Sequence, residues 1–135
     1  MDIRLGYVST ALALFNNTPS STFTYKRFGE LPRDAAMARV LEVARGNLEA
    51  TRRIFYYNAA HGVRLFRLSS SIVPLATHPE VAIDVREHFE EELAALGEFA
   101  RRERFRLSMH PNQFTLLNGS DPIVEAAIRD LEYHA

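Results

Sequence analysis

The amino-acid sequence predicts an α/β fold of about three βα units, with parallel strands and helices on their outer side. Three observations carry this expectation. Short β-rich runs and long helical patterns alternate three times along the chain. The stretches between successive strands are long enough for the crossovers that parallel pairing requires. No composition shift and no Gly/Ser linker marks a second domain.

Residues 3–8, Ile-Arg-Leu-Gly-Tyr-Val, alternate and are β-rich, so they read as the first strand. Residues 9–33 are polar and irregular, too long for a structureless loop in a compact domain, which favours a functional or partly helical insertion. Asp34 to about Ala60 reads as a helix, with Met37, Leu41, Ala44, Leu48 and Phe55 on one face and Gly62 placed to end it. Val63 to Ser69 is the second strand, followed by the loop Pro74-Leu75-Ala76-Thr77-His78-Pro79. Asp84 and Glu87 have the spacing of a capping box, and Phe89, Leu93, Leu96 and Ala100 form the stripe of the helix they open. Phe105 to Met109 is the third strand and runs into His110-Pro111. After the loop 112–120, Asp121 is expected to cap a last helix, with Pro122 in its first turn and Val124, Ile128 and Leu131 as its apolar face.

The closing Leu131-Glu132-Tyr133-His134-Ala135 keeps the helical pattern, with no cap and no following strand. Three units form a thin layer, and a parallel sheet is ordinarily covered on both faces. This favours a partial (β/α)8 (TIM) barrel, whose complete form takes about 250 residues, over a free-standing three-stranded α/β domain. Residues 1–135 are then the N-terminal part of one barrel domain. Its open strand edge and uncovered apolar faces predict self-association of the chain on its own.

Composition excludes several classes. No apolar run approaches the ~18 residues of a membrane span, and the start lacks the pattern of a secretory leader, so no membrane partner is expected and the cytoplasm is the expected compartment. There is no cysteine, hence neither a disulfide framework nor a thiolate metal site. Net charge is −1, but residues 1–67 carry ten Lys/Arg against five Asp/Glu, and residues 68–135 carry six against twelve. A basic half suits phosphates, although charges on outer helices give the same count. No P-loop, GxGxxG, GxSxG or HExxH pattern is present.

Three polar groups fall at strand ends, the edge where α/β folds bind ligands. They are Tyr7, His78 and His110. Each of the two histidines precedes proline, which holds the backbone extended and suits a metal ligand as well as a plain turn. His61, His88 and His134 lie in helical stretches and read as structural. In the loop after the third strand, Gln113 beside Phe114 has the chemistry to enter a DNA stack, the aromatic ring replacing a base and the amide bonding where pairing is lost. A surface amide and a core phenylalanine are the plainer reading. Arg64 and Arg67 alternate along the second strand, and the sequence does not say which points inward.

Several stretches together resemble the UV damage endonuclease family. They are Arg4-Leu5-Gly6-Tyr7-Val8, Asn47-Leu48-Glu49 with Asn58, Arg64 to Ser70, Val73-Pro74-Leu75-Ala76-Thr77-His78-Pro79, Leu107-Ser108-Met109-His110-Pro111-x-Gln113-Phe114, and Asp130 to Ala135. The resemblance spans nearly the whole chain in order and spacing. It implies a (β/α)8 barrel that nicks double-stranded DNA on the 5′ side of UV photoproducts, using divalent metal ions, Mn2+ or Zn2+. It implies metal ligation by His78 and His110, damage probing by Gln113 and Phe114, and a catalytic tyrosine at Tyr7. An asparagine that reaches the lesion in some relatives is absent from Val8-Ser9-Thr10-Ala11. The family's further ligands lie on later strands, so the chain on its own is expected to be an inactive fragment. The competing expectations are a metal-dependent sugar isomerase or epimerase on the same barrel, and a non-catalytic truncated DNA-binding fragment.

Overall fold

The computed structural model describes residues 3–111 and 115–135. The order is β1 (Gly6–Val8), α1 (Tyr25–Gly29), α2 (Arg33–Ala60), β2 (Leu65–Arg67), α3 (Val85–Arg102), β3 (Arg106–Ser108) and α4 (Asp121–His134). The three strands form one parallel sheet in the order β1-β2-β3, as the crossover lengths predict. Each strand is shorter than its β-rich run, because ladder pairing covers only three residues per strand. The irregular stretch 9–33 is indeed partly helical and contains α1, whose first turn is capped by the Thr24 hydroxyl accepting from Arg27 N–H.

Register and alternation divide the sheet into two faces. Tyr7, Phe66 and Leu107 are cross-strand neighbours and pack with the helices. Gly6, Leu65 and Arg106 form one row on the other face; Val8, Arg67 and Ser108 form the next. That second face is largely exposed, as in the lumen side of an incomplete barrel. It answers the question about the two arginines. Arg67 lies on the open face, whereas Arg64 turns back to the carbonyls of Asn58 and Ala59 and pairs with Glu103. Glycine at position 6 is a packing requirement. A Cβ there would sit 2.1 Å from the Leu65 carbonyl oxygen.

The core runs along α2. Its first half buries Ala36, Val40, Ala44 and Leu48 against Phe28, Ile72, Val73, Val81, Ile83 and Phe89. Its second half buries Ile54 and Phe55 against Phe66 and Ala100. Phe55 meets the rings of Phe66 and Phe105 edge-on, at centroid distances of 6.3 and 5.3 Å, a favoured aromatic geometry. The helix ends at His61, and Gly62 follows with a left-handed φ of 70°. In α3 the Asp84 carboxylate caps Arg86 and Glu87 N–H groups as expected, while Leu93 of the predicted stripe stays exposed.

The last helix departs from its predicted face. Ser120, not Asp121, occupies the cap position. Ile128 and Leu131 are exposed and Ala127 is buried; Asp130 accepts from the Thr115 hydroxyl and Tyr133 from the Val73 amide, while the His134 ring bonds the Asp130 carbonyl of its own helix. The helix is thus rotated so that 127, 130 and 134, one row at helical spacing, face the rest of the chain. Of the apolar row counted from the sequence, Ile128 and Leu131 face outward and Val124 is half-buried.

One buried side chain holds the upper loops. Asn47 of α2 is fully buried; its Oδ1 accepts from Ser21 N–H at 2.8 Å, and its Nδ2 donates to the carbonyls of Ser21 and Ile72 at 2.9 Å each. Asn47→Ala leaves these groups unpaired and is expected to destabilise the fold by about 3 kcal/mol in urea titration. Arg39→Ala, which removes only an exposed pair with Glu42, should change stability by less than about 0.5 kcal/mol. A second expectation follows from the open face, where Val8 is 54% exposed beside Leu5 at 84%. The 135-residue chain on its own should sediment as oligomers at micromolar concentration; a monodisperse monomer would contradict this.

Candidate functional site at the carboxyl edge

The strands' carboxyl ends and the loops that leave them form one edge. Tyr7 sits in β1, His110 lies two residues beyond β3, and His78 lies in the loop between β2 and α3. The loop after β1 is fixed by Ser9 N–H donating to Arg67 O and by Asn17 Nδ2 donating to Ala50 O. The loop after β2 is fixed by Asn47 and by Val73 N–H donating to the Tyr133 hydroxyl at 3.1 Å. Between these loops and α4 lies a cleft of about 270 Å³, lined in part by Thr22, Ser70, Ser71, Thr77, Asp130 and Tyr133.

Tyr7 is half-buried, and its phenol turns toward the helix layer. It donates to Asn58 Oδ1 at 2.5 Å and stands edge-on to Phe66 at 5.1 Å. Desolvation is the main effect on its acidity. Its pKa lies above the ordinary phenol value because burial disfavours the phenolate, with a smaller push from Tyr57. Tyr133 is raised for the same first reason, burial, against the Val73 amide, which lowers it.

His78 is half-buried in a tight turn. Its N–H donates to Leu75 O, and its carbonyl accepts from Val81 and Ala82 N–H. Leu75 and Ala82 both adopt left-handed φ, 58° and 52°, an uncommon conformation for residues with a side chain. The imidazole stacks on Tyr25 with centroids 4.0 Å apart and planes at 20°. Glu80 N–H donates to its Nδ1 at 3.3 Å, a long bond. A backbone N–H can only donate, so Nδ1 is the lone-pair nitrogen and the neutral ring carries its proton on Nε2. A metal ion would therefore take Nδ1 in place of the weak amide contact, or take Nε2 after the tautomer changes.

His110 is exposed on the same edge. Among the described residues no three His, Asp or Glu side chains gather closely enough to hold an ion. His78 and His110 lie in the segments that follow two successive strands, β2 and β3. Gln113 and Phe114 lie outside the described residues. Among the described residues no helix is long and apolar enough to cross a membrane.

Sequence reasoning assigned no supporting role to the residues that hold this edge. Tyr25, Glu80, Asn47 and the Thr115–Asp130 hydrogen bond are tertiary partners of loops. Asn47 and Asp130 fall in stretches that carry the family resemblance, and Asn47 also stands out as a polar residue within the apolar row of α2.

Fold and edge together define a class, a partial α/β fold of the (β/α)8 barrel type with histidines in the segments after its strands. The chain belongs to the UV-endonuclease UvdE family, whose profile matches residues 3–135. It is 45% identical over 135 residues to a UV DNA damage endonuclease of Bacillus cereus (strain Q1), covering 99% of this chain and 43% of that protein. A UV DNA damage endonuclease of Bacillus thuringiensis subsp. konkukian (strain 97-27) is 44% identical with the same coverage. The crystal structure of SacUVDE superposes with a TM-score of 0.86 at 32% identity, over 98% of this chain and 44% of that one. The chain thus spans less than half the length of the relatives it matches.

The raised phenols carry a sign. The folded state holds the Tyr7 and Tyr133 protons more tightly than the unfolded chain. Their contribution to stability is complete below the unfolded phenol pKa of about 10 and is lost as pH rises through the folded values. Urea titrations should show stability falling above about pH 10, with a shallower fall in Tyr133→Phe. An equal fall in that variant would show that Tyr133 does not contribute.

Proposed function

We propose that this chain supplies the first three βα units of an endonuclease that nicks double-stranded DNA on the 5′ side of UV lesions. One observation carries the reading. In a chain of the UvdE family, His78 and His110 stand in the segments that follow the carboxyl ends of two paired parallel strands, β2 and β3. Ligand chemistry in such folds is built on that rim. Family membership also favours the endonuclease over the sugar isomerase.

His78 and His110 are assigned as ligands of a divalent ion, Mn2+ or Zn2+, with the remaining ligands coming from outside the described residues. The ion supplies Lewis-acid polarisation of the phosphodiester and activation of water. Tyr7 is the third assigned residue. Its phenol is protonated at neutral pH, and it reaches substrate only by exchanging its bond to Asn58. Gln113 and Phe114 are assigned to the DNA stack. A crosslinked dinucleotide stacks poorly, so displacing it costs less than displacing normal bases, and the amide and ring fill the gap.

The test is nicking by the full-length protein with Mn2+ on irradiated and intact duplex. Strand breaks should map to the 5′ side of photoproducts. His78→Ala or His110→Ala should slow nicking at least about 100-fold. Phe114→Ala should reduce the preference for irradiated DNA about tenfold. The 135-residue chain by itself should not nick. Equal cutting of both duplexes, or full activity of His78→Ala, would overturn the assignment.

A further inference from the structure

The imidazole of His78 belongs to a loop, and no helix or strand sets its orientation. Its plane is set by a neighbour distant in sequence. Tyr25 of α1 lies against its face at 4.0 Å with near-parallel planes, and the Tyr25 hydroxyl donates to the Glu80 carboxylate two residues past the histidine. The same loop is gripped from the start of α2. Arg33 donates to the carbonyls of Glu80 and Val81 at 3.1 and 3.3 Å, with its guanidinium 5.9 Å from the Phe28 ring. Phe28 is buried in the core, so the short α1 helix that carries Tyr25 is itself anchored.

Stacking uses the face of the imidazole, while both nitrogen lone pairs lie in the ring plane. The Tyr25 contact therefore restricts the ring without occupying a ligating atom. It also survives a half-turn of the ring, which exchanges the nitrogen presented at a given edge but leaves the plane unchanged. Groups that orient a ligating histidine raise metal affinity by holding it in its bound geometry beforehand.

We propose that Tyr25 is a positioning residue for His78, its ring fixing the imidazole plane and its hydroxyl tying that ring to Glu80. This rests on the reading of His78 as a metal ligand. The sequence shows why it was not legible. Tyr25 lies in the long irregular stretch, 53 positions from its partner, and belongs to none of the motifs that carry the family resemblance.

The experiment is calorimetric titration of the full-length protein with Mn2+ alone, with far-UV circular dichroism and melting temperature as controls of folding. His78→Ala should weaken a Mn2+ site at least tenfold. Tyr25→Ala should weaken it about tenfold, in the range seen when orienting partners are removed, and Tyr25→Phe should restore most of the affinity because it keeps the stack. The His78 ring protons, followed by NMR, should lose the tyrosine's ring-current shift in Tyr25→Ala and keep it in Tyr25→Phe. If Tyr25→Ala fails to fold, Tyr25→Leu removes the flat face while retaining apolar bulk. Wild-type Mn2+ affinity in the folded Tyr25 variant, with binding still weakened in His78→Ala, overturns the positioning role alone. Wild-type affinity in His78→Ala overturns the ligand reading beneath it.

Discussion

The buried amide of Asn47 is the constraint on which the upper edge of the molecule depends. Its two amide hydrogens have their shortest partners in the Ser21 and Ile72 carbonyls, and its oxygen takes the Ser21 N–H. One side chain on the central helix thereby fixes the loop after β1 and the loop after β2. A buried polar group is costly when unpaired, and this one is fully satisfied, so it specifies a single arrangement of both loops. Thr51 one turn on donates its hydroxyl to the Asn47 carbonyl, and Asn17 reaches Ala50, so a short stretch of α2 organises the loops after β1 and β2.

Below that edge, alternation alone sorts the sheet into a packed face and an open face. The row Tyr7, Phe66, Leu107 packs with the helices, and the rows on either side of it look the other way. This placement gives Tyr7 a double character. Its ring is core, edge-on to Phe66, while its hydroxyl is bonded to Asn58, whose Nδ2 has no partner among the described residues. A buried amide whose NH2 group is unmet stands next to the tyrosine assigned to the site, so the pair has hydrogen-bonding capacity that the helix layer does not use.

Fold class, element order and parallel topology were legible because each is a periodic or punctuated property of local sequence. The α2 stripe, the Asp84 cap and the Gly62 exit are of this kind. Strand ends were overdrawn, since β-propensity extends past the residues that find ladder partners. The face of α4 was misjudged because its sequence offers two rows. Apolar size marks Val124, Ile128 and Leu131, whereas the helix docks through Ala127 and the polar groups of Asp130 and Tyr133. Hydrophobic counting cannot see a helix that docks by hydrogen bonds. For the same reason the neighbours that hold the strand-end residues in place were not legible, since they come from loops and helices distant in sequence.

The histidines show how the fold sorts residues of one type. In His61 and His134 the ring Nδ1 lies 2.8 and 2.6 Å from the carbonyl four residues earlier. A carbonyl only accepts, so Nδ1 carries the proton, and the helix itself sets the ring. A histidine near a helix C-terminus thus comes with an orienting partner already built in, which is why helical position marks it as structural. His78 has no such carbonyl. Its Nδ1 accepts from an amide instead of donating, and its ring takes its plane from Tyr25. An imidazole outside regular structure is held only by tertiary neighbours, so its orientation depends on those neighbours and its in-plane nitrogens remain the groups with which it can do chemistry.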